Sequence, residues 1–181
     1  MTMAVPYDHL SESWRYPVAS RVFHWLVALL VLIVWPFGMV IEFVKEDVKL
    51  DFYFIHESFG FLILWLMLAR LAVRLINPPP PRPPLPVWQE RIAGLNHALL
   101  YVALIAQPVF GFLATNAFGF PLDWFGLVTV PSPIGKSDLA PTLMSVHVFL
   151  GWSILVLFAL HIAGVLHHHL IRRDPMLERM L

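Results

Sequence analysis

The chain has 181 residues, 59% of them hydrophobic and 13% charged, with a mean hydropathy of +0.72. Soluble domains carry roughly 25% charged residues, and a core this small cannot hide so much apolar surface, so disorder is excluded and an integral membrane protein is left. Twelve Lys and Arg balance twelve Asp and Glu, leaving no basic excess for nucleic acid, and zero Cys removes disulfides, iron–sulfur clusters, thiolate zinc sites and covalent haem attachment.

A spanning helix needs about 20 mostly apolar residues. Four segments meet that length: Val22–Glu42, Phe52–Ile76, Gly94–Phe118 and Thr142–Leu170. Spanning strands would be shorter and would alternate in polarity, which these runs do not do. The expected fold is therefore all-α, an integral membrane four-helix bundle forming one domain over residues 1–181. The first 21 residues lack a basic start and no small-residue cleavage site follows, so the first helix is expected to be an uncleaved anchor. Arg15, Arg21, Arg70, Arg74, Arg82, Arg91, Arg172, Arg173 and Arg179 fall on the side of the termini, and only Lys45, Lys49 and Lys136 lie opposite. That asymmetry predicts cytoplasmic termini.

The proline run between the second and third segments, Asn77 to Pro86, cannot continue a helix and favours extended polyproline II. It reads as a stiff strut or as a docking motif for a partner domain. The opposite loop, Gly119–Pro141, carries Phe120, Trp124 and Phe125, which suit the headgroup level. No stretch is left for a soluble catalytic domain.

Ionisable groups inside a membrane point to function, and here the histidines sit at two depths. His147 and His161 share the fourth helix fourteen residues apart, nearly four whole turns, so they face one way about 21 Å apart along the axis. His24, near the start of the first helix, is level with His161, and His56, near the start of the second, is level with His147. Two imidazoles facing each other across a bundle interior can bind a haem iron from both sides. Gly60, Gly151, Gly164 and Gly38 lie on the faces of these histidines, where they provide either a flat slot for a porphyrin or close helix packing. Arg70, fourteen residues past His56, either pairs with a haem propionate or snorkels to the headgroups; for Arg74, a turn further on, snorkelling is favoured. Zinc or proton transport competes for the histidines. Zinc sites usually include carboxylates, however, and the only one clearly within a span, Glu57, lies about 100° round the helix from His56.

These residues form a recognisable set. Arg21-Val22-Phe23-His24-Trp25-Leu26, Ile55-His56-Glu57-Ser58-Phe59-Gly60, Leu68-Ala69-Arg70 through Arg74-Leu75, Asn96-His97 through Tyr101, Gln107-Pro108-Val109-Phe110-Gly111 and the fourth-helix series His147, His161, His168-His169 together resemble prokaryotic cytochrome b561 over roughly Val18–Leu181. The resemblance implies two non-covalent, bis-histidine b haems in four helices of the bacterial inner membrane. It implies His24 and His161 on the cytoplasmic iron and His56 and His147 on the periplasmic one. His97 matches a family histidine that is not taken as a ligand, although by depth it competes with His24.

One branch of that family is a superoxide oxidase, with superoxide giving electrons at the periplasmic side and ubiquinone taking them near the cytoplasmic side. On that pattern His168 is expected near the quinone, with Arg173 and Arg74 at a similar depth. Alternatively, His167, His168 and His169 are polar residues leaving the membrane. The outer loops are net acidic, which does not suit the steering of an anion. A quinone-linked oxidoreductase and an electron-transfer subunit serving a soluble or periplasmic redox partner therefore both stand, with lipid and quinone as further partners and a homodimer left open.

Overall fold

The computed structural model describes residues 14–81 and 85–181. Arg82, the middle of the proline run and the first thirteen residues lie outside the described residues.

Four long helices make up most of the described residues: α1 (Val18–Val40), α2 (Glu46–Ile76), α3 (Val87–Phe118) and α4 (Ala140–Leu166). Each is long and apolar enough to cross a membrane. They run beyond the apolar segments because polar turns extend them into the interface. Glu46 and Asp47 occupy the first turn of α2, where carboxylates complement the helix dipole, and Arg74 occupies the last turn. Prolines punctuate the ends. Pro17 and Pro86 precede α1 and α3, and a proline sits in the first turn of α4. Gly119, at φ 98°, closes α3 in the left-handed conformation that glycine adopts without steric cost.

α1 packs on α2, α2 on α3, and α3 on α4. Val27, Leu30 and Val34 of α1 meet Ile63 and Met67 of α2 in a cluster sealed by Tyr101, Leu104 and Ile105 of α3. The spacing of three and four residues puts each set on one helix face. The opposite faces expose large apolar side chains, such as Phe149, Trp152, Val156 and Leu160 along α4. In water each would cost about 1.5–3 kcal/mol; lipid tails cover them.

The loop between α3 and α4 forms a hairpin, β1 (Leu122–Trp124) paired antiparallel with β2 (Val128–Val130), Trp124 opposite Val128. The turn between them needs two positive φ angles, 53° at Phe125 and 67° at Gly126. Trp124 Nε1–H donates to the Ser58 carbonyl at 3.1 Å, and Phe125 N–H donates to Ser58 Oγ at 3.1 Å. Two of the three aromatics expected at headgroup level are thus folded down onto α2, while Phe120 is exposed.

At the other end of the bundle the last residues return to the start of α1. Arg21 donates to the Leu181 backbone oxygen, and Trp25 Nε1–H donates to Met180 O at 2.7 Å. Arg179 is 6% exposed. Its guanidinium donates to Trp14 O, Pro80 O and Pro81 O at 3.2, 2.7 and 3.0 Å and lies over the Tyr16 ring. One cation joins three irregular segments.

Candidate functional site

The histidines meet in two groups. At the hairpin end, His56 of α2 faces His147 of α4 with ring centres 6.1 Å apart. At the terminal end, His24 of α1 faces His161 of α4 at 6.2 Å. A metal-bound imidazole nitrogen stands about 2 Å from the metal, so two rings on opposite sides of one iron have centres roughly 6.3 Å apart. Both separations suit that geometry.

The hairpin-end pair is held in a repeated manner. His56 Nδ1–H donates to the Val34 carbonyl of α1 at 3.0 Å, and His147 Nδ1–H donates to the Gln107 carbonyl of α3 at 2.9 Å. Each bond commits Nδ1 as donor and leaves Nε2 as the basic nitrogen, the arrangement that ligating histidines use. Four residues beyond each carbonyl is a glycine against the ring. A Cβ on Gly38 would lie 2.5 Å from His56 Cε1, and one on Gly111 would lie 2.7 Å from His147 Cε1. Of the two readings for Gly38, a porphyrin slot or close packing, the structure has the second: it seats a histidine ring. Gly60 and Gly164 have open space where a side chain would project, as a slot requires, while Gly151 backs onto Gln107 and accepts Trp35 Nε1–H at its carbonyl. Gln107 also brings its side-chain amide to 3.3 Å from His147 Nε2, and its Oε1 is buried without a hydrogen-bond partner among the described residues. An iron at Nε2 would displace that amide. Glu57 turns away, accepting Thr115 Oγ1–H at 3.1 Å.

At the terminal end a side chain, not a backbone carbonyl, meets the ring of His24. Arg70 Nη2–H donates to His24 Nδ1 at 2.9 Å, and its guanidinium lies over the Tyr101 ring. His97 is also here, its ring centre 5.3 Å from that of His161. That distance is about 1 Å shorter than two ligands of one iron hold, so the pair would have to part to take one, and His97 is exposed where His24 is half-buried. Arg74 reaches the Tyr16 hydroxyl at 3.5 Å and lies over that ring. Beyond α4 a π turn runs from His167 to Arg172, and Arg173, exposed, takes the left-handed conformation at φ 53°. His168 Nδ1–H donates to Asp174 Oδ2 at 2.7 Å.

The sequence alone did not mark Gly111 as a ring seat, Gln107 as the carbonyl that fixes the His147 ring, or Asp174 as the partner of His168. The second proline-glycine segment, Gln107-Pro108-Val109-Phe110-Gly111, echoes Val34-Trp35-Pro36-Phe37-Gly38, and that echo was the available signal.

Four apolar crossings with paired imidazoles in the bundle interior define a membrane cytochrome b. The chain matches the sequence profile of prokaryotic cytochrome b561 over residues 15–181 and belongs to that family. It is 33% identical over 180 residues to cytochrome b561 homolog 2 of Escherichia coli (strain K12), covering 92% of this chain and 91% of the relative. It is 34% identical over 170 residues to the probable superoxide oxidase CybB of Yersinia pestis, covering 92% and 96%. Cytochrome b562 of Cereibacter sphaeroides is 25% identical over 164 residues, covering 87% and 89%. The protein is a multi-pass inner-membrane cytochrome that carries electrons through b-type haem.

Proposed function

We propose that the chain holds two b haems, one per leaflet, and moves electrons across the bilayer between a periplasmic donor and the quinone pool. His56 and His147 ligate the periplasmic iron, and His24 and His161 the cytoplasmic one. The haems supply one-electron carriers, and the protein tunes them through the imidazoles, burial and nearby charge such as Arg70. The observation that carries this reading is the pair of ring separations, 6.1 and 6.2 Å, at opposite ends of one bundle. The nine-to-three cation asymmetry supports cytoplasmic termini, which puts His168, Arg74 and Arg173 on the quinone side.

The likeness to a probable superoxide oxidase supports superoxide as donor: two superoxide anions would give two electrons and leave as two dioxygen molecules, and ubiquinone would take those electrons with two protons. The dithionite-reduced spectrum with haem-to-protein stoichiometry tests the first part, two haems per chain being expected. Stopped-flow mixing of superoxide with the oxidised protein tests the second: the haems should reduce rapidly and ubiquinone should reoxidise them.

A second reading, an electron-transfer subunit with a soluble basic partner, is favoured by the hairpin-end charge. Glu42, Glu46, Asp47, Asp51, Asp123 and Asp138 face three lysines, of which Lys49 is already paired with Glu46. Absence of fast reduction by superoxide, with co-purification of a basic periplasmic cytochrome, would put that reading ahead.

A further inference from the structure

Asp174 lies six residues beyond His168, and nothing above gives it a role. Its Oδ2 accepts His168 Nδ1–H at 2.7 Å and Arg172 Nε–H at 3.1 Å, while its Oδ1 is buried with no hydrogen-bond partner among the described residues. The side chain is 9% exposed. The backbone bends to make this contact. The helix widens into the π turn, and Arg173 then takes a left-handed conformation that non-glycine residues rarely adopt. As a result the N–H groups of Arg173 and Asp174 both donate to the His168 carbonyl. Both the ring and the backbone of a single histidine are gripped by one turn.

His168 is seven residues past His161, about two turns and roughly 10 Å further along nearly the same face. It therefore stands between the cytoplasmic histidine pair and the interface, where a quinone head group would reside.

We propose that Asp174 is the positioning residue that makes His168 a proton donor to the quinone; this rests on the quinone reading above. With Nδ1 committed to the carboxylate, Nε2 is the ring position that meets a ligand, and its proton is the one that is given up. Reducing a quinone to the quinol takes two electrons and two protons. The two electrons would come from the haems of the proposed function, one from each, leaving both oxidised. One proton passes from His168 Nε2 to a quinone carbonyl oxygen and is replaced from cytoplasmic water; the other comes from water directly. The remaining charged or titratable groups at this turn are Arg172, tied to Gln89 Oε1 of α3 at 3.0 Å, His167, whose ring centre is 5.7 Å from that of His168, and the exposed His169 and Arg173.

The test is reoxidation of the dithionite-reduced, haem-loaded protein by a short-chain ubiquinone, with ferricyanide as a proton-independent oxidant. Asp174→Asn should lower the maximal quinone rate roughly tenfold or more, leave the half-saturating quinone concentration and the ferricyanide rate unchanged, and be largely rescued in Asp174→Glu. The double variant with His168→Gln should be no slower than His168→Gln alone, since a residue acting through its partner adds nothing once the partner is gone. If His168→Gln is slow but Asp174→Asn runs at the wild-type rate, or if the two losses add, the role of Asp174 is refuted while the quinone site stands. If both variants run at the wild-type rate, the quinone reading fails as well. Should the Asp174 variants not assemble, 15N NMR of histidine-labelled wild-type protein decides: Nδ1–H on the resonance that His168→Gln removes is expected, and Nε2–H with a bare Nδ1 overturns the proposal.

Discussion

Replacing Gly111 with alanine puts a methyl group 2.7 Å from His147 Cε1 and 2.8 Å from Nδ1, with the ring's own bond to the Gln107 carbonyl, 2.9 Å long, immediately alongside. Nonbonded carbons rest at about 3.5 Å or more, so the ring must retreat by roughly 0.8 Å or rotate. Either motion breaks the Nδ1–H···O bond, worth about 1 kcal/mol, and adds overpacking strain of about 1–3 kcal/mol. A loss of about 2–4 kcal/mol in holding the imidazole on its iron weakens haem retention at that site by roughly 30- to 1,000-fold. The assay is haem stoichiometry by pyridine haemochrome together with the low-temperature EPR spectrum. Gly111→Ala should come out with close to one haem per chain, or with one haem converted to a high-spin signal, and the other haem intact. Gly94→Ala, with nothing within 4 Å of the added carbon, is the matched control and should keep both. A Gly111→Ala protein with two low-spin haems and unchanged spectra would refute the claim that this glycine seats the ligand ring.

Three further outcomes are expected. Gly38→Ala should repeat the Gly111 phenotype through His56, since the added carbon would lie 2.5 Å from Cε1; spectra indistinguishable from wild type would contradict it. His147→Ala should lose the hairpin-end haem and His161→Ala the terminal-end one, each leaving its neighbour, as read by stoichiometry and redox titration. Arg179→Ala leaves three carbonyls without their donor and should destabilise the protein by about 2–4 kcal/mol. This would be measured as a lower midpoint of thermal unfolding in detergent with unchanged haem spectra at 20 °C or so.

Four crossings were legible because lipid demands long uninterrupted apolar runs, and the runs around Val27, Ile63, Ala103 and Ile154 supply them. The two histidine levels were legible because fourteen residues is close to a whole number of turns, so His147 and His161 share a face whatever the neighbours do. What escaped was set by contacts that leave no periodic trace. Arg179 joins Trp14, Pro80 and Pro81 across irregular segments, and nothing in its local sequence distinguishes it from an interfacial cation. Trp124 and Phe125 looked like headgroup aromatics because a three-residue strand is too short to show alternation, and their fixing to Ser58 depends on a turn closed by Gly126. Gly38 and Gly60 are equivalent on a helical wheel, yet one abuts a neighbouring imidazole and the other faces open space. Only the crossing of two helices separates them.

Arg70 raises a question of proton logic at the terminal-end site. A guanidinium can only donate, so in the Arg70–His24 bond Nδ1 is the acceptor and the ring proton sits on Nε2. A histidine that binds iron through Nε2 carries its proton on Nδ1 instead. The two arrangements exclude one another, so ligation by His24 requires Arg70 to release the ring, and the nearest acceptor of matching charge would be a haem propionate. The competing arrangement keeps the Arg70–His24 bond and pairs His161 with His97. Single replacements separate them: His24→Ala should lose the terminal-end haem and His97→Ala should keep it. If the released cation then sits beside the haem, it disfavours the oxidised, more positive form, and Arg70→Leu should lower that haem's reduction potential while leaving the other unmoved. An unchanged or raised potential in Arg70→Leu would mean that Arg70 stays on the histidine, and retention of haem in His24→Ala would hand the ligand role to His97.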